Sequence, residues 1–179
     1  AMSPAMLDQA LAVGAERAQR MVRCGMDAIA LGEMGIGNTT SAAALLSAFT
    51  GLPAERTVGA GTGVQGQGLQ HKRGVVDDAL AWHRAALAAS GVQTPDTREW
   101  LRRVGGLEIA AMAGAAMAVV EHPVLLVADG FISTVAVLAA ARMLHESAAQ
   151  SSFSSETSSA FALLERLVLS HRSSETGHE

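Results

Sequence analysis

Gly32-Glu33-Met34-Gly35-Ile36-Gly37-Asn38-Thr39-Thr40 decides the fold of this chain. A mostly apolar run, Met26 to Leu31, leads into it, and an alanine-rich run, Ser41 to Phe49, leads out. The order predicts strand, glycine-rich turn, helix. Glycines let a backbone turn sharply and approach a ligand closely. The first N–H groups of the helix lack intrahelical partners, and its dipole adds positive character there. Such a terminus favours a phosphate or carboxylate.

Two glycine motifs compare with this stretch. Gly32, Gly37 and Thr39 fit the frame of a nucleotide-triphosphate loop, but Asn38 stands where that loop has its phosphate-reaching lysine. Glu33 would also repel a polyphosphate. Gly35-x-Gly37 opens like a dinucleotide fingerprint, but Thr40 replaces its third glycine. The plain structural alternative is a capped turn, with Asn38 or Thr39 as N-cap and the glycines as hinges. Anion binding and capping both stay open on local grounds.

The remaining composition narrows the classes. With 179 residues, 49% hydrophobic and 17% charged, the chain suffices for one folded domain. A net charge of −4, no basic stripe and 3% aromatics argue against nucleic-acid binding. Cys24 is the only cysteine, so no internal disulfide forms, which fits a reducing cytosol. No apolar run reaches membrane-spanning length, and no secretion signal is visible at the amino end.

Outward from the turn, Ser3-Pro4 reads as N-cap and first helical position, with Leu7, Leu11, Gly14, Ala18 and Val22 at helical spacing. Gly25 ends that helix. Near-continuous apolarity predicts that Met26 to Leu31 is a strand buried on both faces. Ala42, Leu45, Leu46 and Phe49 form one face of the following helix. Gly59 to Gly68 is a second glycine-rich stretch, read as linker or binding loop, with Thr62 able to supply a hydroxyl. A helix from Leu69 to Ala89 follows, its core face assigned to Val75, Ala79, Trp82 and Ala86. Lys72, the only lysine, falls in its first turn, either solvated or aimed at a bound anion. His71 and His83 lack ligand-spaced partners, so no metal site is expected.

Thr97 to Arg103 reads as a short helix. Gly105-Gly106 starts a longer one running to Val120, and paired glycines there suit close ligand approach. Glu108 in its first turn suits the dipole. Val124 to Ala128 is a second strand, ending in Asp129-Gly130, where open α/β sheets bind ligands. Capping by Asp129, Ser133 or Thr134 is the alternative, with helix from Val135 to His145. Ser147 to Ser159 is serine-rich and predicts a flexible segment. These elements predict a single α/β domain over 1–179: three layers, with a mostly parallel Rossmann-like sheet and flanking helices.

Six segments, in order, closely resemble one family. They are Glu33 to Thr40, Gly59-Ala60-Gly61-Thr62-Gly63, Lys72-Arg73, Val104-Gly105-Gly106-Leu107-Glu108-Ile109, Asp129-Gly130-Phe131-Ile132-Ser133, and Ser170-His171-Arg172-Ser173. The family is nicotinate-nucleotide–dimethylbenzimidazole phosphoribosyltransferase, and the resemblance covers about the middle of its full-length enzyme. It implies base exchange on a ribosyl phosphate, with nicotinate mononucleotide and a dimethylbenzimidazole-like base as partners, no cofactor or metal, a homodimer and a cytoplasmic setting. It implies phosphate and ribose contacts from Gly35, Gly37, Asn38, Thr39, Gly61, Thr62, Gly63, Gly105, Gly106, Asp129, Gly130 and Ser170. Lys72 gains an anionic partner, and Glu33 is expected to stabilise positive charge on the reacting sugar. The family's general-base glutamate stands in a Gly-Glu-Gly-Thr-Gly context beyond the Ser170 segment. This sequence contains no such context, and Glu175 and Glu179 do not match it.

Overall fold

The computed structural model describes residues 1–61, 63–150 and 157–169. Helix α1 (Pro4–Arg23) leads to strand β1 (Ala28–Gly32), then α2 (Thr39–Thr50), α3 (Ala54–Thr57), α4 (Gln67–Ala89), α5 (Thr97–Val104) and α6 (Leu107–Ala118). Strand β2 (Leu125–Asp129), α7 (Phe131–Gln150), α8 (Thr157–Glu165) and β3 (Leu167–Leu169) follow. The strands form one parallel sheet in the order β1-β2-β3. Helices flank it, as an α/β fold requires.

Local chemistry sets the element boundaries. Ser3 caps α1 by accepting from the Met6 N–H, and Pro4 occupies the first turn. Asp96 caps α5 by accepting from the Glu99 N–H at 2.7 Å. Gly51 ends α2 in the left-handed conformation. Register pairs Gly32 with Asp129, so β1 and β2 deliver their carboxyl ends side by side.

The core lies between these helices and one sheet face. Leu45, Leu101, Ile109, Leu126, Val135 and Val137 are almost wholly buried in it. Helix α1 lies against α6 through its Leu7-Ala10-Gly14-Ala18 face. Its crossing is close: a Cβ on Gly14 would stand 1.7 Å from the Ala111 carbonyl oxygen, and one on Gly114 would stand 2.0 Å from that of Leu11.

Four expectations need correction. Strand β1 is not buried on both faces: Ile29 and Leu31 are buried while Ala28 and Ala30 are exposed. The apolar run identifies a strand but does not count the layers covering it. On α4 the core face is Val76, Leu80 and Leu87, whereas Trp82 is 67% exposed. Two apolar stripes one residue apart run along that helix, and the one carrying the aromatic faces out. Helix α7 begins at Phe131, immediately after Gly130, rather than at Val135. Ser133 and Thr134 are therefore inside its first turn, donating their hydroxyls back to the Gly130 carbonyl. Helix also extends into both ends of the serine-rich stretch, at Ser147–Gln150 and from Thr157. Alanine and Leu163 carry these turns onto neighbouring apolar surface, which overrides serine's weak helix propensity. Residues 151–156 lie outside the described ones.

Candidate functional site

The site forms at the carboxyl ends of β1 and β2. Strand order follows sequence order among the described residues, so no reversal of order creates a crevice there. The turn after β1 is built by Gly35 and Gly37, at φ of 80° and 81°, values only glycine adopts readily. The Glu33 carboxylate folds back and accepts from the Gly35 N–H. That N–H is therefore occupied within the turn.

Lys72 joins three segments. Its ammonium donates to Thr39 Oγ1 at 2.8 Å and to the Gly59 carbonyl at 3.0 Å. A Cβ on Gly61 would stand 2.9 Å from Thr39 Oγ1 and 3.2 Å from Lys72 Nζ, so the second glycine stretch passes directly over this pair. Helix α4 starts at Gln67, which puts Lys72 in its second turn rather than its first. Partial burial lowers the Lys72 pKa below its ordinary value. A half-buried cation with only neutral oxygens around it gains from an arriving anion.

Beside this junction lies an open hollow of about 410 Å³. Gly35, Gly37, Thr39 and Lys72, four of the residues singled out in the sequence, line it. Val64 and Gly68, from the second glycine-rich stretch, line it too, as do His71 and Val75, which sequence reasoning missed. The signal for these two was adjacency: His71 directly precedes Lys72, and Val75 lies one turn beyond His71 on the same face of α4.

The other residues sit around this centre in different ways. Asn38 is the N-cap residue of α2 but makes no capping bond with its side chain. Its Nδ2 instead donates to Glu108 Oε1 at 3.2 Å. Gly105 serves packing: a Cβ there would meet the Leu101 carbonyl oxygen at 2.4 Å. Gly106 lies under the Glu108 carboxylate. Neither glycine lines the hollow, contrary to the expectation of close ligand approach. Asp129 lies beside Gly32, and Ile132 at the start of α7 lies beside Gly35. Gly63 is exposed, at φ 111°. Thr62 and Ser170 lie outside the described residues.

No helix among the described residues is long and apolar enough to cross a membrane. The family described as Phosphoribosyltransferase matches residues 1–179. The nicotinate-nucleotide–dimethylbenzimidazole phosphoribosyltransferase of Janthinobacterium sp. (strain Marseille) is 40% identical over 95% of this chain and 46% of its own length. That of Xanthomonas campestris pv. campestris (strain B100) is 40% identical over 99% of the chain and 44% of its own length. The crystal structure of CobT from Thermus thermophilus superposes with a TM-score of 0.79 at 38% identity, over 99% of this chain and 46% of that one. The chain thus spans less than half the length of these relatives. By sequence along its whole length and by fold, it belongs to the nicotinate-nucleotide–dimethylbenzimidazole phosphoribosyltransferase family.

Proposed function

We propose that this chain forms the nucleotide-holding part of a phosphoribosyltransferase that exchanges the nicotinate of nicotinate mononucleotide for 5,6-dimethylbenzimidazole. The product is α-ribazole 5′-phosphate, the lower-ligand precursor of cobalamin. One observation carries the reading: the Lys72 ammonium bonded to Thr39, at the start of α2, beneath Gly61. A phosphate placed there meets a cation, a helix N-terminus and glycine backbone together.

In this reading Gly37, Asn38, Thr39, Gly61, Thr62 and Gly63 surround the phosphate with Lys72. Asp129, Gly130 and Ser170 complete the nucleotide's surroundings. A base nitrogen attacks the anomeric carbon, the bond to nicotinate breaks, and nicotinate leaves with the bonding electrons. Glu33, held over the turn by the Gly35 N–H, supplies negative charge as the ribosyl centre becomes positive. The proton of the incoming base goes to a general base outside this sequence. The same proposal includes a homodimer and a cytoplasmic setting, supported by the family likeness and, for the latter, by a lone cysteine.

A second reading is a nucleotide-binding module without turnover. The names of the relatives favour the first reading over it. Incubating the chain with nicotinate mononucleotide and dimethylbenzimidazole separates the two. Released nicotinate with matching α-ribazole phosphate supports catalysis; binding without either product supports the module.

A further inference from the structure

We propose that Glu108 is a positioning residue for the turn after β1, acting through Asn38. The inference deepens the nucleotide reading of that turn and rests on it. Glu108 lies in the first turn of α6, where its charge also suits the helix dipole. Dipole stabilisation alone does not explain where its carboxylate goes. It reaches across seventy positions of sequence to accept from Asn38 Nδ2.

Asn38 has little else to hold it. Its side chain does not cap α2. Its Oδ1 is buried and has no hydrogen-bond donor among the described residues. Glu108 is therefore the one described anchor of this amide. An ionised carboxylate only accepts hydrogen bonds. Flipping the amide would set Oδ1 against Glu108, acceptor against acceptor, so the contact fixes the amide's orientation and with it the position of the Gly37–Thr39 backbone. Glu108 is seated in turn by Gly106: a Cβ there would lie 2.3 Å from Glu108 Oε1 and 2.6 Å from Oε2. Gly106 leaves room for Glu108, Glu108 orients Asn38, and Asn38 stands between the Gly37 and Thr39 that line the hollow. Gly106 thus serves the site at one remove, without touching its hollow.

The test is a set of variants titrated with nicotinate mononucleotide, with melting temperature and the exchange of the Asn38 side-chain amide protons measured alongside. Glu108→Gln keeps an acceptor and is expected to bind within about threefold of the native chain. Glu108→Ala and Asn38→Asp are expected to weaken binding about tenfold or more, the second by opposing two carboxylates. Combining Asn38→Asp with Glu108→Gln inverts donor and acceptor and should recover most of the affinity lost by Asn38→Asp. Protected Asn38 amide protons in the native chain and Glu108→Gln, but not in Glu108→Ala, complete the expected pattern. Unchanged affinity in Glu108→Ala, equal losses in both Glu108 variants, or no recovery in the double variant would overturn the proposal. If the native chain binds no nicotinate mononucleotide, the nucleotide reading fails. Protected Asn38 protons in that case would leave a structural tie and overturn the positioning role.

Discussion

Lys72 Nζ lies 2.8 Å from Thr39 Oγ1, joining the second turn of α4 to the first residue of α2 across thirty-three positions of sequence. The same ammonium bonds the Gly59 carbonyl, so one side chain ties both glycine-rich stretches together. Lys72→Met should lower affinity for nicotinate mononucleotide ten- to a hundredfold. That corresponds to the ~1.5–3 kcal/mol of a charge-assisted contact. Calorimetry measures it. Gly61→Ala should weaken binding as well, because its Cβ would press on Thr39 and Lys72 from a positive φ.

The protonation of Lys72 gives a pH signature. Burial lowers its pKa in the free protein, while a bound phosphate would raise it again. Affinity for the nucleotide should therefore hold through neutral pH. It should fall as pH climbs through the depressed value, before the ordinary lysine value of 10.5 is reached. In the absence of ligand the sign for stability is the reverse: the buried charge is unfavourable at neutral pH, and the fold gains as that charge is lost on the way to 10.5. Lys72→Arg should flatten the binding profile over this range, since guanidinium does not titrate there.

Outside the hollow, Glu99 should contribute to acid stability. Its carboxylate takes bonds from Arg102 Nε at 2.9 Å and Nη2 at 2.6 Å, and from Arg103 Nε at 2.6 Å. The Arg102 hydrogen bonds come first among the causes that hold its pKa at about 2, against an ordinary 4.5. A depressed carboxylate contributes stability above the unfolded value and loses it as pH falls through the folded one. The window is thus between 4.5 and about 2. Partial exposure discounts the contribution to ~1–2 kcal/mol. Urea unfolding at pH 6 and pH 3 should show the native chain losing stability that Glu99→Gln never had.

At the α1–α6 crossing, Gly14→Ala should destabilise the fold by about 3 kcal/mol, because the new methyl would strike the Ala111 backbone and force the helices apart. Gly114→Ala should behave alike. Thermal melting checks both. Gly74→Ala on α4 meets nothing within 4 Å, and should be neutral or slightly stabilising.

What the sequence revealed follows from what each signal encodes. Ser3-Pro4 and Gly25 mark chain geometry directly, and α1 starts and stops beside them. Gly35 and Gly37 permit the left-handed backbone that the turn after β1 adopts, so a turn there was legible in the sequence. Two stripes of similar apolarity on α4 left its rotation undetermined, and only packing placed Val76 inward and Trp82 outward. The Asn38–Glu108 bond was not legible: both residues have satisfying local readings, as cap and as dipole partner, and nothing local links positions so far apart. Lys72 was ambiguous by itself. Its partners, Thr39 and the Gly59 carbonyl, meet it only once α2 and α4 are packed.

The central claim is that the glycine stretches and Lys72 hold a nucleotide's phosphate. An amide-resolved NMR titration of this chain with nicotinate mononucleotide, beside nicotinate riboside, tests it most directly. The account predicts saturable shifts at Gly37, Thr39 and Gly61, and binding of the riboside at least about tenfold weaker, since it lacks the charged group. Equal affinity for the two compounds, or shifts that bypass these residues, would contradict it.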